Sequence, residues 1–193
     1  MNAPPILPVR AAIGHTDLIG AIAGKHARAR LVEAAAALPP GPWLGLDFDG
    51  IDMVSASAAR EAFLVDLPAH LHERGTLPVL LALNKASLEE VVFAAQALRL
   101  PIVVADGLAD GEPAGLRILG ELDSKLRLTL SIVSRLGEAD AKTAFDEAKD
   151  DSTGVTAWNN RLSSLAGMRL LKERKSGKTK YYSLTLRGLV DGN

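Results

Sequence analysis

The chain has 193 residues, 48% of them hydrophobic, and a formal net charge of −1. This length and apolar content suit one ordinary folded domain and a small second one. The absence of cysteine excludes disulfides, zinc fingers and thiol nucleophiles. No apolar run approaches the ~20 residues of a transmembrane helix, and no charged segment followed by an apolar one resembles a secretory signal. We therefore expect a soluble, cytoplasmic protein without a membrane segment.

The first part of the chain, residues 1–118, alternates short apolar runs with helical stretches. The runs are Trp43–Phe48, Leu77–Leu83 and Pro101–Ala105, and the helical stretches between them are Ala58–Arg74 and Ser87–Leu98. Nearly continuous apolar runs are typical of strands buried on both faces, and the strand–helix–strand order favours a mostly parallel sheet. This part is therefore predicted to be an α/β domain.

Two further segments precede the first of these strands. Asp17–Leu38 predicts an amphipathic helix that ends before Pro39 and Pro40, since a helix interior does not tolerate proline. Its expected apolar side consists of Leu18, Ile22, Leu31, Val32 and Ala35. The proline-rich start, Met1–Val9, is predicted to be loose.

One segment of this domain, LDFDGIDMVSASAAREAF (Leu46–Phe63), resembles the strand, turn and helix of a STAS-type domain. STAS is the fold of bacterial anti-sigma factor antagonists, and the segment looks closest to STAS-like variants found beside regulatory domains. The family's Asp-Ser-Ser-Gly turn corresponds here to Ser55–Ala58, which puts Ala56 at the phosphorylated serine; a slip of one residue would put Ser55 or Ser57 there. The resemblance implies a partner-binding or dimerising module. From the residues alone, Ser55 or Ser57 is expected to cap the following helix.

The same segment also suggests an enzyme. Leu46–Gly50, LDFDG, resembles the opening motif of haloacid-dehalogenase phosphatases, in which the first aspartate (Asp47) attacks a phosphoryl group and the second (Asp49) is the acid/base. Asp106 and Asp110 would then stand for the magnesium-binding acids of that family. This is the minor alternative.

Three features argue against the phosphatase. Ile51 follows the motif where Thr or Val is usual, the motif begins some forty residues into the chain, and only about sixty residues separate it from Asp106. Phosphate-loop motifs are absent from the sequence, and His70 and His72 point in different directions on a helix. We therefore expect neither an enzyme nor a bound cofactor or metal.

Charge divides the chain in two. Residues 1–122 hold nine basic and fourteen acidic residues, a net charge of −5, whereas residues 123–193 hold thirteen basic and nine acidic residues, a net charge of +4. Arg161–Arg187 contains eight basic residues and one acid, Glu173. Such clustering is typical of a surface that binds a polyanion, although a run of charges can also simply solvate an exposed hairpin.

The basic region changes from helical to strand periodicity. An apolar stripe at helical spacing consists of Val155, Trp158, Leu162 and Leu165, so Trp158 is expected in a core; the opposite face carries Thr156, Asn159, Asn160 and Ser163. Ser152 or Thr153 is expected to cap this helix. A hairpin follows, reversed at Ser176-Gly177, in which one of Tyr181 and Tyr182 should face inward and the other outward.

Residues 123–187 resemble the winged helix-turn-helix of bacterial transcription regulators. Leu126–Leu136, ended by Gly137, corresponds to the first helix, Ala139–Lys149 to the second and Asp150–Gly154 to the turn. In that family a left-handed glycine follows the recognition helix; Arg169 stands at its position, and Gly167 is an alternative helix end. The acids before the recognition helix are expected to face solvent: Glu138, Asp140, Asp146, Glu147, Asp150 and Asp151.

These patterns together predict an α/β STAS-like domain over residues 1–118, joined around Gly111–Gly120 to a small α+β winged-helix domain over residues 119–193. The resemblance implies binding of double-stranded DNA by a homodimer, with the STAS-like domain serving dimerisation, sensing or a regulatory protein partner. The expected major-groove residues are Thr156, Asn159, Asn160, Arg161 and Ser163, and the expected phosphate contacts are Arg174, Lys175, Lys178 and Lys180. The main alternative is a protein-interaction adaptor that does not bind DNA.

Overall fold

A computed structural model of the chain describes residues 5–149 and 153–191. These residues form two compact units, 5–121 and 122–191. The division falls three residues after the predicted boundary at residue 118. Gly111–Gly120, which was predicted to join the two parts, instead contains two short strands of the first unit.

The first unit is built on a mostly parallel sheet. Its strands are β1 (Ile6–Pro8), β2 (Asp17–Leu18), β3 (Trp43–Asp47), β4 (Met53–Val54), β5 (Leu77–Leu81), β6 (Pro101–Ala105), β7 (Gly107–Ala109), β8 (Glu112–Ala114) and β9 (Arg117–Gly120). In the main sheet β1, β3, β5 and β6 run parallel in that order, and β9 pairs antiparallel with β6. Strands β2 and β4 form a separate parallel pair, and β7 and β8 form a hairpin. The predicted mostly parallel sheet is confirmed. The predicted loose start, Met1–Val9, is wrong in its described part, because Ile6–Pro8 forms β1 and pairs with β3.

Apart from Val9–Ile13, which was not predicted to be helical, the helices of the first unit follow the predicted positions with two corrections. They are α1 (Val9–Ile13), α2 (Ala21–Ala37), α3 (Ala56–Ala59), which continues as a π-helical turn (Arg60–Leu64), α4 (Asp66–Glu73) and α5 (Lys85–Ala97). The single helix predicted over Ala58–Arg74 is wrong, because the π-helical turn interrupts it and buries three consecutive residues, Ala62, Phe63 and Leu64. Helix α2 begins only at Ala21, since Gly20 has a φ of +85°. Of its predicted apolar side, Leu18 therefore lies in β2, and Ile22 is exposed to solvent.

Local contacts in the first unit fix the start of α3. The hydroxyl oxygen of Ser55 accepts hydrogen bonds from the backbone N–H groups of Ala58 and Gly20, at 3.3 and 3.0 Å, which confirms the predicted cap. Helix α2 passes so close to α3 that a Cβ atom on Gly24 would lie 2.6 Å from the carbonyl oxygen of Ala58. Only glycine therefore fits at this helix crossing.

The second unit combines three helices with a small antiparallel sheet. Its elements are α6 (Ser124–Leu136), β10 (Glu138–Ala139), α7 (Ala141–Ala148), α8 (Val155–Gly167), β11 (Leu171–Ser176), β12 (Thr179–Leu184) and β13 (Val190–Asp191). Strands β10, β12 and β11 pair antiparallel in that order. The core contains fully buried side chains from the three helices and from β12, among them Ile132, Ala144, Trp158, Leu162 and Tyr182.

The ends of these helices follow the sequence less closely than their interiors. Asp123 and Asp140 cap α6 and α7 with their carboxylates, whereas α8 begins after Gly154 without a side-chain cap. The predicted cap by Thr153 is therefore wrong, because this residue stands two positions before the helix. Ser152, the other predicted cap, and Asp150 and Asp151 lie outside the described residues. Within the described residues, no helix has the length and apolar character needed to cross a membrane.

Candidate nucleic-acid interface

Helix α8 presents a polar face to solvent because its apolar stripe is buried. Trp158, Leu162 and Leu165 are completely buried, as predicted, while Val155 is 40% exposed and does not belong to the core. On the opposite face Thr156, Asn159 and Asn160 are all exposed. Their short hydroxyl and amide groups can donate and accept hydrogen bonds, which is the chemistry that base edges offer in the major groove.

Two other residues predicted for this face are engaged within the protein. The guanidinium of Arg161 lies 4.7 Å from the centre of the Trp158 ring, a cation–π contact one helical turn apart. The hydroxyl of Ser163 lies 3.2 Å from the hydroxyl of Tyr182 on β12, so Ser163 connects α8 to the hairpin. The Trp158 ring thus holds the guanidinium of Arg161, and the side chain of Ser163 is directed toward the hairpin.

Helix α8 is followed by a left-handed residue, although no glycine stands at that position in the sequence. The helix runs to Gly167, and Arg169 adopts a left-handed conformation with a φ of +61°. This conformation is the one that glycine usually supplies after a helix, and it is unfavourable for a residue with a Cβ atom. Arg169 therefore makes the same turn into β11 as a glycine would.

The hairpin of β11 and β12 places two lysines at its tip. Ser176 pairs with Thr179, which leaves Gly177 and Lys178 as the two loop residues; the predicted turn at Ser176-Gly177 is one residue too early. Gly177 has a φ of +60°, as the first position of a two-residue turn requires. Lys175 and Lys178 are exposed. Lys175 lies directly across the hairpin from Lys180, a like-charge pair that costs stability unless an anion screens it.

Two further basic residues of the hairpin, Arg174 and Lys180, are held by acids. Arg174 donates two hydrogen bonds to the carboxylate of Glu138, at 2.7 and 3.1 Å, and its guanidinium also lies over the Tyr181 ring. The Nζ atom of Lys180 donates to Glu173 at 2.9 Å. These bonds lower the pKa of Glu138 and of Glu173, because each carboxylate is stabilised in its charged form.

A chain of hydroxyl and carboxylate groups joins α8 to the ion pair of Lys180 and Glu173. The hydroxyl of Tyr182 contacts both Ser163, at 3.2 Å, and Glu173, at 3.4 Å. Tyr182 is completely buried, whereas Tyr181 is half-buried, so the predicted alternation of the two tyrosines is confirmed. The relative position of α8 and β11 is therefore fixed by directional bonds as well as by packing.

An open cleft of about 400 Å³ lies between the start of α7, α8 and the hairpin. It is lined by Asp140, Ala141, Lys142, Asn159, Lys178, Thr179 and Lys180. Three predicted residues, Asn159, Lys178 and Lys180, therefore share one concave surface. Lys142 and Asp140 were not predicted as part of it; the capping position of Asp140 is the signal that could have placed the first turn of α7 there.

Hydrogen bonds to residues of α7 hold the side chains of Lys142 and Asp140 in place. Lys142 donates to Asp146 at 2.6 Å, and Asp140 accepts from the backbone N–H of Thr143 at 2.7 Å. The latter bond lowers the pKa of Asp140. Asp146 and Asp140 accordingly offset part of the positive charge that the lysines bring to the cleft. Glu147, another of the acids expected to face solvent, pairs with Arg135 at 3.3 Å.

The aspartates of the first unit do not assemble into a comparable site. Asp47 accepts a hydrogen bond from the backbone N–H of Asp49, and Asp106 pairs with Arg117 at 2.6 Å. Among the described residues, no three His, Asp or Glu side chains lie together as a metal site would require. Asp47 and Asp106, two of the four carboxylates named for a phosphatase, thus each contact a donor within the first unit. Comparison of the chain with protein-family models, curated proteins and solved structures gives no significant match.

Proposed function

We propose that this protein is a transcriptional regulator that binds double-stranded DNA through residues 122–191. The observation that carries the proposal is the shared cleft: Asn159 of the exposed α8 face and Lys178 and Lys180 of the hairpin line the same concave surface. Groups that read bases and groups that bind phosphates must lie side by side to contact a groove and its flanking backbone.

The order of elements supports the same assignment. A helix, a short strand, two helices and a hairpin follow one another, with the short strand paired to the hairpin. This is the order of a winged helix-turn-helix, in which α7 and α8 form the helix-turn-helix and β11 and β12 form the wing. In this proposal α8 enters the major groove, and the wing contacts the adjacent backbone.

The charge distribution supports a polyanionic partner. Residues 122–191 carry thirteen basic and nine acidic residues, a net charge of +4, while the first unit is acidic. We propose that the first unit, a STAS-like module, does not contact DNA and serves dimerisation, sensing or the binding of a regulatory protein.

The proposal is tested by titrating the purified protein into labelled duplex DNA of random sequence at low and at physiological salt. Binding is expected at low salt and should weaken steeply with salt, because each phosphate contact releases a condensed counterion. Absence of binding at low salt would contradict the proposal and favour the protein-interaction adaptor.

Glu173 is predicted to weaken DNA binding, because its carboxylate holds Lys180 and adds a negative charge beside the cleft. Glu173→Gln keeps an oxygen for the Tyr182 hydroxyl but releases the lysine, so the affinity for any duplex should rise about threefold to tenfold at low salt. The salt dependence should steepen by about one released ion. Titrations at several salt concentrations measure both quantities.

Glu147→Gln provides the matched control, since it removes the same charge from a carboxylate that pairs with Arg135 and does not line the cleft. Its affinity is expected to stay within about twofold of the parent value. Equal gains in the two variants would mean that total charge, and not the Lys180 pair, sets the affinity.

A further inference from the structure

The described residues of the first unit form an open groove on their surface. The groove has a volume of about 380 Å³ and lies between the start of α2, α3 with its π-helical turn, and α5. Its walls include the small side chains of Ala21, Ala56 and Ala97. An engineered protein cavity of about 150 Å³ already accepts benzene, so the groove has room for an aromatic ring.

Large apolar side chains project beside this groove. Phe93, on the rim formed by α5, is 67% exposed, and Ile22, next to Ala21 on α2, is 75% exposed. Isolated apolar residues are common on protein surfaces, but here an exposed ring borders a hollow lined by alanines. The patch therefore holds both a projecting group and a space of the size needed to receive one.

The charges at the groove are also self-complementary, since the groove carries one basic and one acidic residue. Arg60 and Glu61 both line it and are adjacent in sequence; their closest contact, between Nε and Oε1, is 3.8 Å. A two-fold interface brings one patch against an identical copy, so each residue must find its complement on the same surface. A patch with one base and one acid meets this condition, whereas a patch of a single sign would repel its copy.

We propose that this groove binds a second copy of the chain in a two-fold dimer. Phe93 of each protomer enters the alanine-lined groove of the other, and Arg60 of each protomer faces Glu61 of the other. The inference rests on the proposed function, in which dimerisation is one of the roles of the first unit, and it assigns that role to one surface; the dimer forms without DNA. It also gives the oligomer a stated surface, whose lining residues all belong to the first unit and are distinct from those of the basic cleft.

The test is light scattering on the full chain after size-exclusion chromatography, without DNA, at about 50 µM. This concentration lies above the micromolar Kd at the weak end of standard interfaces. The parent chain is expected to have twice the 20.4 kDa mass of one protomer, and Phe93→Glu the mass of a monomer. Because Phe93 is mostly exposed, its replacement leaves the core intact, and an unchanged far-UV circular dichroism spectrum verifies this.

Leu108→Glu is the matched control. Leu108 is a 46% exposed apolar residue of the same unit that does not line the groove, so this variant should stay dimeric. A monomeric parent chain, a dimeric Phe93→Glu variant, or a monomeric Leu108→Glu variant would each overturn the proposal. None of these outcomes bears on whether the protein binds DNA, which is measured separately.

A charge exchange tests the two-fold geometry itself. Arg60→Glu and Glu61→Arg each place like charges across the interface, and each is expected to raise the dimer Kd at least about tenfold. The double variant restores one acid and one base per patch, and its Kd should return to within about threefold of the parent value. A double variant as weak as the two single variants would contradict the proposed pairing.

Discussion

The double variant Lys175→Ala/Lys178→Ala is expected to bind any double-stranded DNA about 30-fold more weakly than the parent chain at near-physiological salt. Both lysines are exposed at the hairpin tip. A solvent-exposed contact between a lysine and a phosphate contributes about 1 kcal/mol, so the loss of two amounts to roughly 2 kcal/mol. The loss should be independent of sequence, because phosphates carry no base information.

The salt dependence provides a second measurement of the same contacts. Each neutralised phosphate contributes about 0.9 to the slope of log K against log salt, so removing two contacts should reduce that slope by about 1.8. Lys25→Ala/Lys85→Ala removes two exposed lysines from the first unit and serves as the matched control. A similar loss of affinity in both double variants would mean that net charge, and not the hairpin tip, binds the DNA.

Asn159→Ala separates base reading from phosphate binding. Asn159 lies in the same cleft as Lys178 but carries no charge, so its removal should leave the salt slope unchanged. Its effect should instead depend on sequence, with a loss of about 1–3 kcal/mol at the preferred site and almost none elsewhere. A selection from random duplexes with the parent chain and the variant measures this difference. If the variant selects the same sequences, Asn159 does not read a base.

The sequence predicted the helices and strands that are marked by a local pattern of apolar residues. Trp158, Leu162 and Leu165 recur at helical spacing, and all three are buried on one side of α8. The strands β3, β5 and β6 were evident as apolar runs, because both faces of a central parallel strand are covered. In contrast, β1 has only three residues, the last of them a proline, and β9 has only four, with two adjacent apolar residues and a terminal glycine, so neither gave a recognisable signal.

The ion pairs of the hairpin could not be predicted because they depend on tertiary register. Arg174 and Glu138 are 36 residues apart, and they meet only because β10 and β11 pair on opposite sides of β12. The basic run therefore appeared uniform in sequence, whereas the structure distinguishes two lysines at the tip, Lys175 and Lys178, from Arg174 and Lys180, which are held by acids. Helix ends were also predicted less well. The end of α8 is an example, because Arg169 takes a left-handed conformation that its residue type does not favour.

Trp158→Ala is expected to destabilise the second unit by about 3–5 kcal/mol, the usual cost of removing a fully buried large aromatic side chain. Trp158 is completely buried and supports both the α8 stripe and the guanidinium of Arg161. The second unit has about 70 residues, for which a total stability of roughly 3.5–10 kcal/mol is expected. The substitution therefore removes a large part of that stability, and DNA binding should be lost with it.

Trp158→Phe is the matched variant, and it is expected to be far less damaging. The indole Nε1 atom is buried and has no hydrogen-bond partner among the described residues, so phenylalanine removes an unsatisfied donor while keeping an aromatic ring beneath Arg161. The relief of that donor, about 1–3 kcal/mol, should offset most of the loss of packing. Urea unfolding followed by far-UV circular dichroism measures both variants, with Trp43 as the remaining tryptophan in each and an independent fluorescent reporter of the first unit. Equal destabilisation by alanine and phenylalanine would show that the indole N–H itself stabilises the fold, contrary to its unpaired position in the core.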